Sequence, residues 1–85
     1  MIKTATISVK YFSVLAEITG KRSEEISIEN GATAAEILNE LTVKYPQMER
    51  FVPYVRAAVN KSYVKMETAL DDGDELTFIT PVSGG

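Results

Sequence analysis

The sequence has 85 residues, of which 45% are hydrophobic, and its 9 basic and 12 acidic side chains give a net charge of −3. That length suits one small domain with a single core. Because the chain has no Cys and no His, disulfides, thiolate zinc sites, thiol nucleophiles and an imidazole base are excluded, and we expect no bound metal and no self-contained enzyme. The negative charge argues against binding to nucleic acid or to anionic membranes. The sequence has neither an apolar run long enough to span a bilayer nor a signal-peptide pattern, so the cytoplasm is the expected location.

The first part of the sequence predicts a strand followed by a short helix. Alternating apolar residues indicate a half-buried strand over Ile2–Phe12. Phe12 is an aromatic residue on the polar side of that strand; it either folds under the next turn or forms an exposed apolar contact for a partner. The segment Ser13–Gly20 is typical of a short helix, with Ser13 as its N-cap and Gly20 in the left-handed conformation that ends it.

A second strand and one long helix follow. Glu25–Glu29 alternates again, and the short connection predicts antiparallel pairing with the first strand. Thr33 and Glu36 form a capping box at the start of a helix over Ala34–Tyr45, which Pro46 ends. The apolar residues of this helix recur at helical spacing, so we interpret them as a stripe packed on a sheet.

The rest of the sequence predicts three short strands. Residues 47–53 form a connector, residues 55–60 alternate as a third strand, and Tyr63 begins a short return at the tip of the hairpin. Residues 71–74, with three aspartates and a glycine, indicate a solvated turn, because their spacing is not that of a calcium-binding EF-hand loop. Residues 75–80 are the last strand.

Ile79 is a second apolar residue on an otherwise polar strand face. If the first and last strands are neighbours, Phe12 and Ile79 form one exposed apolar patch, which Tyr63 can extend. The element order predicts an α+β roll: a mixed sheet of four to five strands with one long helix packed on one face. We expect a domain over residues 1–80 and an extended tail over residues 81–85.

The tail is Pro81-Val82-Ser83-Gly84-Gly85. Pro81 stops the strand and fixes its own φ, whereas a terminal glycine has no Cβ, so its carboxylate can enter a narrow slot. Five extended residues reach at most roughly 16–18 Å, which is enough to place a carboxylate inside a partner protein. The alternative is a frayed terminus without a function.

The order of elements and the ending of the chain resemble those of the ubiquitin-like (β-grasp) sulfur carriers, most closely the small subunit of molybdopterin synthase. The segments that carry the resemblance are Val9–Phe12, Leu15–Gly20, Gly31–Thr33, Ala57–Asn60, Asp72–Glu75 and Ile79–Gly85. One departure is Thr80, where many relatives have a second proline, so the tail is expected to be slightly less stiff.

The resemblance implies a cycle of activation and transfer at Gly85. An adenylyltransferase similar to the ubiquitin-activating enzyme converts the Gly85 carboxylate to an acyl adenylate with ATP, and a sulfurtransferase supplies sulfur for a thiocarboxylate. The synthase large subunit then uses that sulfur to build the dithiolene of molybdopterin on cyclic pyranopterin monophosphate, in a heterotetramer. The carrier holds no bound cofactor. On matching positions, the partner-binding residues are Phe12, Tyr63, Ile79, Pro81, Val82 and Ser83, with Gly84 beside the reacting Gly85.

Three alternatives stay open at this point. The chain can be a sulfur carrier for thiamine thiazole synthesis, which partner identity would decide. It can be a protein modifier joined through Gly85 to lysines, or a β-grasp interaction module whose tail is inert.

Overall fold

The sheet has the strand order β2-β1-β5-β3-β4, and the computed structural model describes residues 3–80 of the chain. The central strand β5 runs parallel to its neighbour β1, whereas the other neighbouring pairs are antiparallel. The elements in chain order are β1 Thr4–Tyr11, α1 Val14–Thr19, β2 Ser23–Glu29, α2 Ala34–Lys44, a 3-10 helix Pro46–Tyr54, β3 Arg56–Val59, β4 Ser62–Val64 and β5 Glu75–Ile79. This is the predicted α+β roll with a mixed sheet of five strands.

The register places the ends of the first and last strands side by side. Tyr11 at the end of β1 lies opposite Phe78 of β5, and Arg56 of β3 lies opposite Ile79. Because β1 and β5 run in the same direction, Phe12 and Ile79 lie at the same end of the sheet, where both strands finish. The first and last strands are therefore neighbours, which is the condition stated above for Phe12 and Ile79 to form one patch.

One face of the sheet packs against α2 and forms the core. The inward residues of β1, β3 and β5 are joined there by the helix stripe, by Met48 of the 3-10 helix and by Leu70. The residues of α2 that are buried are Ala34, Ile37, Leu38 and Leu41, as their helical spacing predicts. No helix within residues 3–80 is long and apolar enough to cross a membrane.

The start of α2 is fixed by local hydrogen bonds. The Glu36 amide donates to Thr33 Oγ1 at 3.2 Å, and the Thr33 amide donates to Glu36 Oε1 at 2.9 Å. These reciprocal bonds satisfy two amides that the first helical turn leaves without partners, and they confirm the predicted capping box. The helix ends at Lys44, with Tyr45 as its C-cap, so the predicted end was one residue too late.

The predicted capping role of Ser13 is wrong. Ser13 precedes α1 with φ 51° and ψ −126°, and its side chain makes no capping hydrogen bond. An N-cap residue needs an extended backbone to bring its oxygen over the first amides of the helix, and the abrupt connection between β1 and α1 does not provide one. At the other end, Gly20 has φ 74° and its amide donates to the Ala16 carbonyl at 2.9 Å, as predicted.

Other predicted bounds were wrong by a few residues. The second strand begins at Ser23 instead of Glu25, and the third spans Arg56–Val59 instead of residues 55–60. The connector at 47–53 is helical, because Met48 is buried completely and anchors a 3-10 turn over the core. Asn60 leaves the third strand because it has φ 50° in the tight turn to β4.

Candidate partner-binding face

The second face of the sheet contributes almost nothing to the core, and we call it the open face. Its residues form rows across the strands: Lys10 of β1 lies opposite Thr77 of β5, Thr77 opposite Ala58 of β3, and Ala58 opposite Tyr63 of β4. Paired residues of neighbouring strands project on the same side of a sheet. Thr77 and Ala58 are buried without belonging to the core cluster, so they form the floor of this face between larger neighbours.

The open face carries the apolar patch that the sequence predicts, which consists of Phe12, Tyr63 and Ile79. Phe12 is 53% exposed and Tyr63 is 71% exposed, whereas Ile79 is half-buried. Of the two interpretations of Phe12, the exposed contact is the one that the structure supports. Tyr63 lies within β4 and not at the hairpin tip as predicted, because Asn60 and Lys61 make the turn with positive φ. The three side chains therefore lie on one surface at the end of β5.

Grooves lie on both sides of the end of β5. One, of about 480 Å³, runs between the end of β1 and α1 and is lined by Lys10, Phe12 and Arg22 among others. The other, of about 380 Å³, lies along β3 and β4 and includes Arg56, Tyr63 and Lys65. Each groove combines an exposed aromatic ring with an arginine, and both residue types are enriched where proteins bind other proteins.

A partly buried carboxylate holds the end of β1 in place behind the patch. Glu24 Oε2 accepts hydrogen bonds from the Tyr11 hydroxyl at 2.6 Å and from the Tyr45 hydroxyl at 3.1 Å. Glu24 Oε1 accepts from Lys44 Nζ at 3.0 Å and lies 3.5 Å from Lys21 Nζ. The Glu24 side chain is only 11% exposed, so these donors replace most of its water. Glu24 thereby connects β1, β2 and the end of α2.

The titration behaviour of this cluster follows from its geometry. Burial alone would raise the pKa of Glu24, but the hydrogen bonds from Tyr11, Lys44 and Tyr45 and the charge of Lys44 outweigh it and lower that pKa to about 2. Burial and the bond to Glu24 raise the pKa of the Tyr11 hydroxyl well above its usual range. The hydrogen bond to Glu24 also raises the pKa of Lys44.

Sequence reasoning missed Glu24. A signal was available, because the alternation that turns Ile26 and Ile28 inward also places Glu24 on the inward side of β2. A carboxylate at an inward position needs buried donors. The hydroxyls of Tyr11 and Tyr45, however, come from elements whose packing the sequence does not specify.

The predicted aspartate turn sets the other end of β5. Asp72 Oδ1 accepts from the Thr6 amide at 2.8 Å, and Asp74 Oδ1 accepts from Asn60 Nδ2 at 3.0 Å. Asn60 Oδ1 in turn accepts from the Glu75 amide at 3.0 Å. These bonds tie the start of β5 to β1 and to the β3–β4 turn, so the turn has a structural role. Within residues 3–80, no cluster of acidic side chains is arranged to hold a metal ion.

The other predicted site residues are Pro81, Val82, Ser83, Gly84 and Gly85, and they lie outside the described residues. Their roles in transfer and binding stay predictions. Ile79 is the last residue of β5 and lies at the same end of the sheet as the exposed Phe12. The sequence continues from this end into residues 81–85.

The strand order, the single long helix and the uncovered second face define a ubiquitin-like (β-grasp) domain. Among solved structures, the small archaeal modifier protein 1 of Haloferax volcanii matches with a TM-score of 0.81 and 27% sequence identity, covering 92% of this chain and 99% of that one. The fold predicted from the sequence is therefore confirmed.

The chain belongs to the ThiS family of ubiquitin-like sulfur carriers, whose profile matches residues 9–85. It is similar to the molybdopterin synthase sulfur carrier subunit of Mycobacterium tuberculosis, with 34% identity over 80 residues that cover 93% of this chain and 96% of the relative. It is equally similar to the human protein of that name, with 34% identity over 88 residues and complete coverage of both chains. Members of this class are carriers without catalytic activity of their own.

Proposed function

We propose that this chain is the sulfur carrier subunit of a molybdopterin synthase. The observation that carries the proposal is similarity over nearly the whole chain to two proteins of that name, from a bacterium and from human. The exposed apolar patch at the end of β5 supports it, since a carrier must present a docking surface close to the group that it delivers.

Gly85 is the reacting residue in this proposal. Its carboxylate attacks the α-phosphate of ATP in the active site of an adenylyltransferase, and pyrophosphate leaves. A persulfide sulfur of a sulfurtransferase then displaces AMP from the acyl carbon and forms an acyl disulfide. A thiol attacks the other sulfur of that disulfide, so the S–S bond breaks and the Gly85 thiocarboxylate is released. In the synthase large subunit, the thiocarboxylate sulfur passes to cyclic pyranopterin monophosphate, and water returns Gly85 to a carboxylate.

In this proposal the open face and the tail have different roles. Phe12, Tyr63 and Ile79 bind the partner surface, while Pro81, Val82 and Ser83 enter the partner and position Gly84 and Gly85. Aromatic side chains that fill a partner's pocket commonly contribute much of the binding energy. A docked face fixes the base of the tail, which raises the effective concentration of the terminal group in the partner's active site.

Intact mass measurement tests the carrier chemistry. The chain is incubated with a cognate adenylyltransferase, ATP and a sulfur donor, and we expect a mass gain equal to the exchange of one oxygen for one sulfur. A variant extended by one residue beyond Gly85 should show no gain. If the extended variant is charged equally well, or if the natural chain gains no sulfur, the proposed role of Gly85 is wrong.

Substitution in the apolar patch tests docking. Phe12→Ala should weaken binding to the large subunit about tenfold or more without loss of the cooperative thermal transition, because the ring is half exposed and does not belong to the core cluster. Val43→Ala is the matched control, since Val43 is 82% exposed on α2, which packs on the opposite face of the sheet. Equal binding by both variants would contradict the docking role of Phe12.

Protein modification is the second candidate function, and the similarity to a small archaeal modifier protein favours it. That function predicts isopeptide-linked conjugates in cells that disappear when Gly85 is deleted. A pull-down distinguishes the molybdopterin role from the other carrier role, in thiamine thiazole synthesis. Recovery of a thiazole synthase in place of a molybdopterin synthase large subunit would assign the chain to thiamine synthesis.

A further inference from the structure

Cationic side chains surround the apolar patch although the chain as a whole carries a net charge of −3. On the β1 side, Arg22 and Lys10 line the groove that contains Phe12. On the β3–β4 side, Arg56 and Lys65 line the groove that contains Tyr63, with Glu67 as its one acidic residue. The end of β5 therefore lies between two aromatic rings, each with basic neighbours.

Most of these cations are not neutralised inside the domain. The ion pairs within residues 3–80 are Lys10 with Glu75, and Lys21 and Lys44 with Glu24. Arg22, Arg56 and Lys65 are exposed and have no carboxylate within 4.0 Å in that part of the chain. Their charge is therefore available to a carboxylate on another molecule.

The opposite end of the sheet is acidic. Glu29 lies opposite Thr4 at the start of β1, and the turn that precedes β5 contributes three more carboxylates at Asp71, Asp72 and Asp74. The domain thus has a positive end at the apolar patch and a negative end at the aspartate turn. A charge distribution of this kind orients a protein as it approaches a surface of complementary sign.

We propose that the partner surface which receives this domain is an apolar socket with carboxylates on two sides, one set facing Arg22 and the other facing Arg56 and Lys65. This inference rests on the proposed docking role of the apolar patch and adds the charge of the partner. The carboxylates select the end of the domain that carries residue 80, so the tail reaches the partner's site and the aspartate turn points away.

Charge reversal at matched positions tests the inference. Lys65 and Lys61 flank the three residues of β4, and both are exposed, but Lys65 lies at the patch end and Lys61 in the β3–β4 turn at the other end. Lys65→Glu and Lys61→Glu change the net charge identically. Lys65→Glu is a test variant, together with Arg56→Glu and Arg22→Glu at the same end of the domain. Lys61→Glu is a control variant, together with Lys3→Glu next to the start of β1.

The measurement is the association rate and affinity of the full chain for the molybdopterin synthase large subunit of the same organism, at low and at high salt. Each reversal in the set Arg22, Arg56 and Lys65 should weaken binding about three- to tenfold at low salt, mainly through slower association, and much less at high salt. The two controls should stay within about twofold of the natural chain.

The outcomes separate this inference from the proposed function. Suppose that Phe12→Ala weakens binding while charge reversals at both ends of the domain have equal effects. The inference of carboxylates around the partner's socket is then wrong, and the docking role of the apolar patch stands. If affinity does not depend on salt, the inference of carboxylates around the partner's socket is also wrong. If the natural chain does not bind the large subunit at all, the proposed function is overturned, and this inference, which rests on it, is overturned with it.

Discussion

Replacing Glu24 by glutamine removes a carboxylate whose side chain is only 11% exposed and leaves its donors in place. The Tyr11 hydroxyl, the Tyr45 hydroxyl and the Lys44 ammonium group all donate to this carboxylate. A glutamine side chain offers one acceptor oxygen and turns an NH₂ group toward groups that are themselves donors. At least one hydroxyl or ammonium group then loses its acceptor in a partly buried position, which is costly.

The magnitude follows from the proton affinity of Glu24. The pKa of this carboxyl is about 2 against an ordinary value of 4.5, and each unit of difference corresponds to about 1.4 kcal/mol. The ionised form therefore contributes at most about 3.5 kcal/mol to the free energy of unfolding, and we expect about 2 kcal/mol because Oε1 faces two lysines at the surface. For a domain of this size, that lowers Tm by about 8–16 °C.

The pH dependence has a definite sign. Because folding lowers the pKa of Glu24, its contribution is complete above about pH 4.5 and is lost as the pH falls toward about 2. Glu24→Gln should therefore be less stable than the natural chain at pH 7, and the difference should shrink progressively below pH 4.5. Urea unfolding at a series of pH values measures this difference directly.

Glu25→Gln is the matched control. Glu25 is the next residue of β2, is exposed, and has no hydrogen bond or ion pair from its side chain within the described residues. Its substitution should leave the free energy of unfolding within about 0.5 kcal/mol of the natural chain. Equal stability of the two variants at pH 7, or a Glu24→Gln effect that does not change with pH, would refute the reasoning.

Three further substitutions test other parts of the structure, each by urea or thermal unfolding. Met48→Ala should lower the free energy of unfolding by about 2–4 kcal/mol because this side chain is completely buried over the core; a loss below 1 kcal/mol would mean that the 3-10 helix does not anchor there. Thr33→Ala should cost about 1 kcal/mol by breaking the capping box, and Thr33→Ser should restore most of it. Ser13→Gly should stabilise the domain by about 0.5–1 kcal/mol, because φ 51° with ψ −126° strains any residue that has a Cβ; a destabilised variant would show that Ser13 is not strained.

Features that depend on neighbours in sequence were predicted well. The capping box, the left-handed Gly20 and the aspartate turn all consist of contacts between residues a few positions apart. Strand faces were also predicted, because the alternation of β1 alone decides that Tyr11 is buried and Phe12 is not. The apolar patch followed from that alternation once the first and last strands were taken as neighbours.

Features that depend on tertiary contacts were not predicted. The Glu24 cluster brings together residues 13 and 21 positions away from it, and no local pattern specifies that meeting. Ser13 was assigned as a cap because its residue type favours that role, but the path of the chain from β1 into α1 imposes a different backbone. The burial of Ala58 and Thr77 on the open face likewise depends on the strands that flank them.

We expect stability and partner binding to be separated at the level of adjacent residues in this domain. Tyr11 points into the core and bonds to Glu24, while Phe12 is exposed on the patch. Phe78 is fully buried, while Ile79 follows it at the edge of the open face. Because the period of a strand is two residues, the same segments of β1 and β5 can hold the fold on one side and offer a surface on the other. Substitutions at position 12 should therefore change binding with little change in unfolding, and substitutions at position 24 should do the reverse.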